Sequence, residues 1–166
     1  MPVPEAAPAV AAWREKLDPT ASWGIPPHIT ILYPFVRPGE LTQEVVIDLS
    51  GVFGGFHAFD FTLSRLGWFG EDVLYLAPDP PDPFREITST VLGRHPDYPP
   101  YGGEHAEVVP HLTIGHREHG SLGAAAAAIA PALPIRARAA EVWLLGTQRG
   151  IGWHMLGRFQ LPSGRT

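Results

Sequence analysis

Pro27-His28-Ile29-Thr30-Ile31 and Pro110-His111-Leu112-Thr113-Ile114 are two copies of one pentapeptide, identical at four positions and differing only as Ile and Leu at the fifth. The two histidines lie 83 positions apart in a chain of 166 residues, so the copies are half a chain apart. The same offset carries a helix expected near 41–53 onto 124–136, a strand at 58–65 onto 141–148, and a strand at 73–77 onto 156–160. The order helix, His-x-Thr strand, helix, strand, strand therefore occurs twice. That is the signature of a duplicated unit with a pseudo-two-fold axis, and motifs so related face each other.

Working outward, the periodicity supplies the elements. Val10, Trp13 and Leu17 lie at helical spacing within Glu5–Leu17, which Asp18-Pro19 ends. Leu41, Val45, Leu49 and Val52 predict a second helix closed by Gly54-Gly55. Asp82, ahead of Pro83, predicts the N-cap of a third with Phe84, Ile87 and Val91 inward. Ser121 predicts the cap of a fourth through the alanine run 124–128. Phe59, Phe61 and Leu63 alternate with polar residues as in a strand with one buried face, and Val73–Ala77, Ala140–Gly146 and Trp153–Leu161 read as further strands. Leu66–Asp72 reads as a hairpin turn. His95–Pro110, rich in Pro and Gly, reads as a long loop, a feature more often functional than idle in a compact domain. One two-lobed domain spanning 1–166 is expected.

Composition narrows the chemistry. The chain has no cysteine, which excludes disulfides, thiolate metal sites and cysteine nucleophiles. With 12 Lys and Arg against 17 Asp and Glu, a net charge of −5 and no cluster of three bases, it offers no track for long nucleic acid, although a local phosphate site is compatible. No apolar run reaches membrane-spanning length, and no leader pattern of basic start, apolar segment and small-residue cleavage site is present. A cytoplasmic monomer that does not engage membranes is expected.

The His-x-Thr spacing has its own physical content. Residues two apart on a strand share a face, so His28 projects with Thr30, and His111 with Thr113, while Ile29, Ile31, Leu112 and Ile114 point into the opposite layer. Two such faces brought together place two imidazoles and two hydroxyls in one cleft. That set suits phosphodiester transfer. A neutral imidazole takes the proton of the attacking oxygen, an imidazolium protonates the departing one, and both roles work near neutral pH. The threonine hydroxyls can donate to the non-bridging phosphoryl oxygens. No metal or other cofactor is required.

The sequence resembles the two-histidine phosphoesterases, whose bacterial members are usually labelled 2′-5′ RNA ligase family proteins or cyclic phosphodiesterases. The resemblance rests on Pro-Pro-His-Ile-Thr-Ile-Leu-Tyr-Pro-Phe at 26–35, Pro-Pro-Tyr-Gly-Gly-Glu-His at 99–105 and Val-Pro-His-Leu-Thr-Ile-Gly-His at 109–116, and covers essentially the whole chain. It implies an α+β fold: two antiparallel-sheet lobes with outer helices around a central cleft. It also implies activity on 2′,3′-cyclic phosphates or 2′-5′ linkages, and the reading is a metal-independent phosphodiesterase, or reversible RNA ligase, with a small nucleotide or RNA end as substrate. By motif match, His28 and His111 fall on the catalytic positions, and Thr30 and Thr113 on the phosphate-binding ones. One departure stands out. A strand normally precedes the first helix, yet the 83-residue register puts the counterpart of Val73–Ala77 at −10 to −6, so this lobe is expected to lack an edge strand or the start to be assigned late.

Tyr101 and His105 are candidate loop contacts to substrate. His105, His111 and His116 recur at five-residue spacing, which raises a zinc site, but a regular strand through Gly115 would turn His116 away from His111. His57, His95, His116, His119 and His154 are read as surface or supporting histidines, and Tyr33 and Phe35 as core. Trp68, Phe69, Tyr98, Tyr101 and Trp153 fall at turns or strand ends where a base could stack or the core be filled. Arg149 and Arg158 could support a phosphate or simply face solvent. Two other readings of the same motifs remain: a non-catalytic module that binds a phosphorylated nucleotide, and a metal-dependent hydrolase.

Overall fold

Proline and capping residues set the first elements, as seen in a computed structural model that describes residues 1–103, 108–147 and 152–164. Pro8 sits in the first turn of α1 (Ala7–Leu17), where its missing N–H is not needed. The helix stops at Asp18, which is extended ahead of Pro19 and caps the short α2 (Pro19–Ser22) by accepting from the Thr20 N–H at 3.0 Å. Ser121 caps α5 (Leu122–Ile129) through the Ala124 N–H, as expected, and Thr42, which the sequence reading did not single out, caps α3 (Gln43–Gly54) through the Val45 N–H. Asp82 does not cap α4 (Asp82–Arg94). The helix already includes it, Pro81 holds the cap position without a side-chain bond, and Asp82 instead pairs with Arg85 at 3.1 Å.

Six strands form two antiparallel sheets. Strands β1 (Phe59–Phe69), β2 (Val73–Asp79), β3 (Leu112–His116) and β4 (Ile135–Ala139) make a four-stranded sheet in the order β3-β2-β1-β4, and β5 (Glu141–Thr147) pairs with β6 (Trp153–Gln160). The expected hairpin turn at 66–72 is shorter than read. Strand β1 runs on through Phe69 and only 70–72 turn, with Gly70 at φ 57°. Gly67 misled the reading, because its role is packing: a Cβ there would lie 2.4 Å from the Tyr75 ring that crosses it. Strand β4 was not expected. Its inward residues are Ile135, Ala137 and Ala139 between outward arginines, so the buried face carries little hydrophobic signal, yet it pairs with β1 from Phe59 to Leu63.

Residues 1–3 run beside the first motif, and among the described residues no full strand precedes the first helix. The Val3 N–H donates to the Pro27 carbonyl at 2.8 Å and the Ile29 N–H to the Met1 carbonyl at 2.9 Å, around an antiparallel bridge between Pro2 and His28. The lobe thus has a short edge segment before its first helix. This bridge is the only ladder pairing of the first His-x-Thr segment among the described residues, so that segment is extended without being a full strand. Both segments nevertheless show the same burial pattern. Pro, Ile or Leu, and Ile are buried in each, and His and Thr half-buried.

The helices pack crosswise. Helix α1 precedes the first motif but lies on β3, the strand of the second. Helix α4 precedes the second motif, and its buried Thr88 donates to the carbonyl of Ile31 in the first, at 3.0 Å. One core cluster joins Val10, Leu17 and Ile29 to Leu74, Leu112, Ile114 and Ile129. The α1–β3 approach is close enough to need Gly115, where a Cβ would stand 2.2 Å from Leu17 Cβ and 3.0 Å from the Leu17 carbonyl oxygen. Backbone cannot yield as a side chain can. Gly115→Ala is therefore expected to destabilise the fold by roughly 1–3 kcal/mol, as overpacking generally does, measured by urea unfolding. An unchanged midpoint would contradict this close contact.

Candidate active site

The two motifs orient their imidazoles by the same device. His28 Nδ1 lies 2.8 Å from the carbonyl oxygen of Pro26, and His111 Nδ1 lies 2.7 Å from that of Val109, in each case two residues back. A carbonyl oxygen only accepts, so each Nδ1 carries the hydrogen and each neutral ring presents the lone pair of Nε2. Pro27 and Pro110 stand between ring and carbonyl, and their fixed φ stiffens the short loop that makes this bond.

All four motif side chains, His28, Thr30, His111 and Thr113, line one cleft of about 980 Å³. Among the described residues neither threonine hydroxyl has a hydrogen-bond partner, so both are available to a ligand. The His111 ring is wedged by aromatic neighbours, Phe69 at 4.8 Å edge-on and Tyr75 at 5.4 Å, which are themselves stacked at 4.4 Å. Burial lowers the proton affinity of both rings. It pushes His28 down to about 4, with the neighbouring Met1 amino group adding to the effect, and it lowers His111 as well.

Behind the motifs lies a residue that the sequence reading passed over. Arg14 is 2% exposed, and all three nitrogens of its guanidinium are engaged: Nε donates to the Thr113 carbonyl at 3.1 Å and Nη1 to the Ile25 carbonyl at 3.2 Å. Nη2 meets Asp18 at 2.8 Å and the Thr20 hydroxyl at 3.3 Å. The signal was present in the sequence. Arg14 falls on the same helical face as Val10 and Leu17, four residues before Asp18, and an arginine within an apolar stripe requires partners.

The structure places the remaining candidates as follows. His116 faces the cleft with His111, contrary to the regular-strand expectation, because β3 carries a bulge at Ile114: Tyr75 pairs with Thr113 and Leu74 with Gly115. Val73 and Tyr75 share a face, so their partners His116 and Thr113 share one too, although they are three apart. Tyr33 is 51% exposed and lines the cleft rather than the core, since the chain leaves extended pairing after Thr30 and the pleat no longer governs it. Phe35 also lines the cleft and packs edge-on against His95 and Tyr98. Tyr101 lines it from a left-handed backbone position, φ 51°, its N–H bonded to the Tyr33 carbonyl at 2.8 Å. Phe69 and Trp153 line it as well, and Trp153 lies 6.1 Å from the Tyr33 ring. Trp68 lies outside it, in a separate shallow depression. Arg158 pairs with Glu141, His95 Nε2 lies 3.0 Å from an Asp48 carboxylate oxygen, and His119 Nε2 lies 3.1 Å from one of Glu118. His105 and Arg149 lie outside the described residues. Among the described residues no group of three or more His, Asp or Glu side chains is close enough to hold a metal, and no helix is long and apolar enough to cross a membrane.

The fold has counterparts among solved structures. The chain superposes on the crystal structure of E. coli LigT complexed with 3'-AMP at a TM-score of 0.61 and 19% identity, covering 97% of this chain and 94% of that one. It superposes on TT0787 of Thermus thermophilus at 0.62 and 16%, covering 96% and 92%. A structure described as a phosphoesterase matches at 0.59 and 17%, covering 98% and 95%. At these identities the likeness establishes the fold, two antiparallel sheets with outer helices. No curated protein matches the chain. The family model of the 2'-5' RNA ligase superfamily matches residues 2–151, and the chain belongs to that superfamily.

Proposed function

We propose that the protein is a metal-independent phosphodiesterase acting on small nucleotides with a 2′,3′-cyclic phosphate or a 2′-5′ linkage, and that the reaction can run in reverse as ligation. The observation that carries this reading is the pair of His-x-Thr segments lining one cleft, each imidazole locked by the same Nδ1–H to carbonyl bond. Superfamily membership supports phosphoesterase chemistry in general. The E. coli LigT structures carry 3'-AMP and NADP+, which supports a nucleotide-sized substrate here.

In the hydrolytic direction, His28 Nε2 accepts a proton from water as the water oxygen attacks phosphorus. The bond from phosphorus to a ribose oxygen breaks, and that oxygen takes the proton of the His111 imidazolium. Thr30 and Thr113 donate to the non-bridging oxygens as charge builds on them. Burial keeps His28 neutral at physiological pH, as a base must be. The negative phosphate, once bound, favours the protonated form of His111 that the acid role needs. Tyr33, Tyr101 and Trp153 at the cleft wall offer a base a surface on which to stack. A net charge of −5 fits a substrate held in the cleft rather than along an RNA track.

Two expectations test this. His28→Ala and His111→Ala should each lower turnover by roughly 10²–10⁴-fold, and the double variant should cost little more because the two act as one unit. Turnover of 2′,3′-cyclic nucleotides by the wild type should survive chelation. Near-normal activity in either folded single variant would refute the paired roles, binding without turnover in the wild type would indicate a binding module, and chelator sensitivity would indicate a metal enzyme. Secondly, the His28 ring should titrate near pH 4 in an NMR titration of the free protein. The unfolded chain protonates this ring near 6.5, so between about 6.5 and 4 it binds more protons than the folded one, and stability should fall as pH falls through that window. Titration of His28 at or above 6.5 would contradict the burial that lowers its proton affinity.

A further inference from the structure

We propose that Arg14 is a positioning residue of this site: one buried guanidinium fixes the two His-x-Thr segments relative to each other, so that a phosphate can be reached from both. The inference rests on the phosphodiesterase reading above and adds a residue outside the two motifs.

The geometry makes the link direct. Nε–H holds the carbonyl of Thr113, the residue whose hydroxyl faces the cleft in the second segment. Nη1–H holds the carbonyl of Ile25, and only the peptide to Pro26 separates that group from the carbonyl that orients the His28 ring. Pro26 and Pro27 follow Ile25 in sequence, and their fixed φ angles transmit a position set at Ile25 to His28 with little slack. The guanidinium is in turn held by Asp18 and the Thr20 hydroxyl, and Asp18 also accepts from the Thr20 N–H and hydroxyl at 3.0 and 2.7 Å. Arg14 and Asp18 are each about 2% exposed in their side chains. Helix α1 thus carries a rigid fork whose prongs end on the two halves of the repeat. The repeat provides no second copy, since the position 83 residues on is Asp97.

A lysine at this position keeps the charge but has a single point donor on a flexible stem in place of the planar fork. Arg14→Lys should therefore lower kcat on a 2′,3′-cyclic nucleotide by about 10–100-fold while KM stays within about threefold, because misplacement of reacting groups is felt mainly in the transition state. Kinetics are expressed per folded molecule, with folding checked by thermal unfolding. A lowered melting temperature with unchanged kcat would make Arg14 merely structural and overturn the proposal. A second measurement needs no variant. On titrating the wild type with adenosine 3′-monophosphate, the Arg14 Nε–H NMR resonance should move along the same binding curve as the His28 and His111 ring signals. An Arg14 signal that stays fixed while both rings move overturns the positioning role alone, and this arm decides the matter if Arg14→Lys does not fold. Rings that do not respond to the nucleotide overturn the reading of the site itself.

Discussion

The buried ion pair between Arg14 and Asp18 is the constraint around which the halves of this molecule are arranged. Breaking such a pair by removing one partner generally costs about 3–5 kcal/mol, because it strands a charge away from water. Here two of the guanidinium's bonds end on Thr113, within the second His-x-Thr segment, and on Ile25, just ahead of the first. Among the described residues the buried polar side chains are Arg14, Asp18 and Thr88, and the third holds the Ile31 carbonyl. A chain whose core is otherwise apolar thus concentrates its costly buried polarity behind the two motifs. Stability and the geometry of the cleft depend on the same bonds.

The crosswise packing explains why a duplicated chain forms one cleft rather than two separate half-sites. Helix α1, ahead of the first motif, holds the backbone of the second, and α4, ahead of the second, holds that of the first. The close α1–β3 contact through Gly115 brings Arg14 within reach of Thr113, and the bulge at Ile114 next to it swings His116 into the cleft. The duplication is therefore imperfect in a directed way. The second motif lies in a four-stranded sheet and gains an extra imidazole nearby, whereas among the described residues the first is bridged only by residues 1–3.

Much of this was legible in the sequence. The repeated Pro-His-x-Thr-Ile pentapeptides carried the duplication, the alternation of cleft and core residues, and the four side chains that share the cleft. The helix cap at Ser121 followed from side-chain chemistry that acts within three residues. What escaped was decided by tertiary geometry. The β3 bulge has no local sequence signature and reversed the expectation for His116. Tyr33 left the core because its segment has no ladder partner to keep the pleat regular. Strand β4 escaped because alanines on its buried face give little hydrophobic contrast. Arg14 was readable in principle as a charge in an apolar stripe, but its partners lie at residues 25 and 113, distances along the chain that no local rule spans.

The most direct test of the account is a crystal structure of the complex with adenosine 3′-monophosphate. The account predicts one phosphate within hydrogen-bond reach, about 3 Å, of His28 Nε2, His111 Nε2 and the hydroxyls of Thr30 and Thr113, with the two ring nitrogens on the order of 5–8 Å apart across it. A phosphate seated elsewhere, or within reach of only one of the two imidazoles, would contradict it.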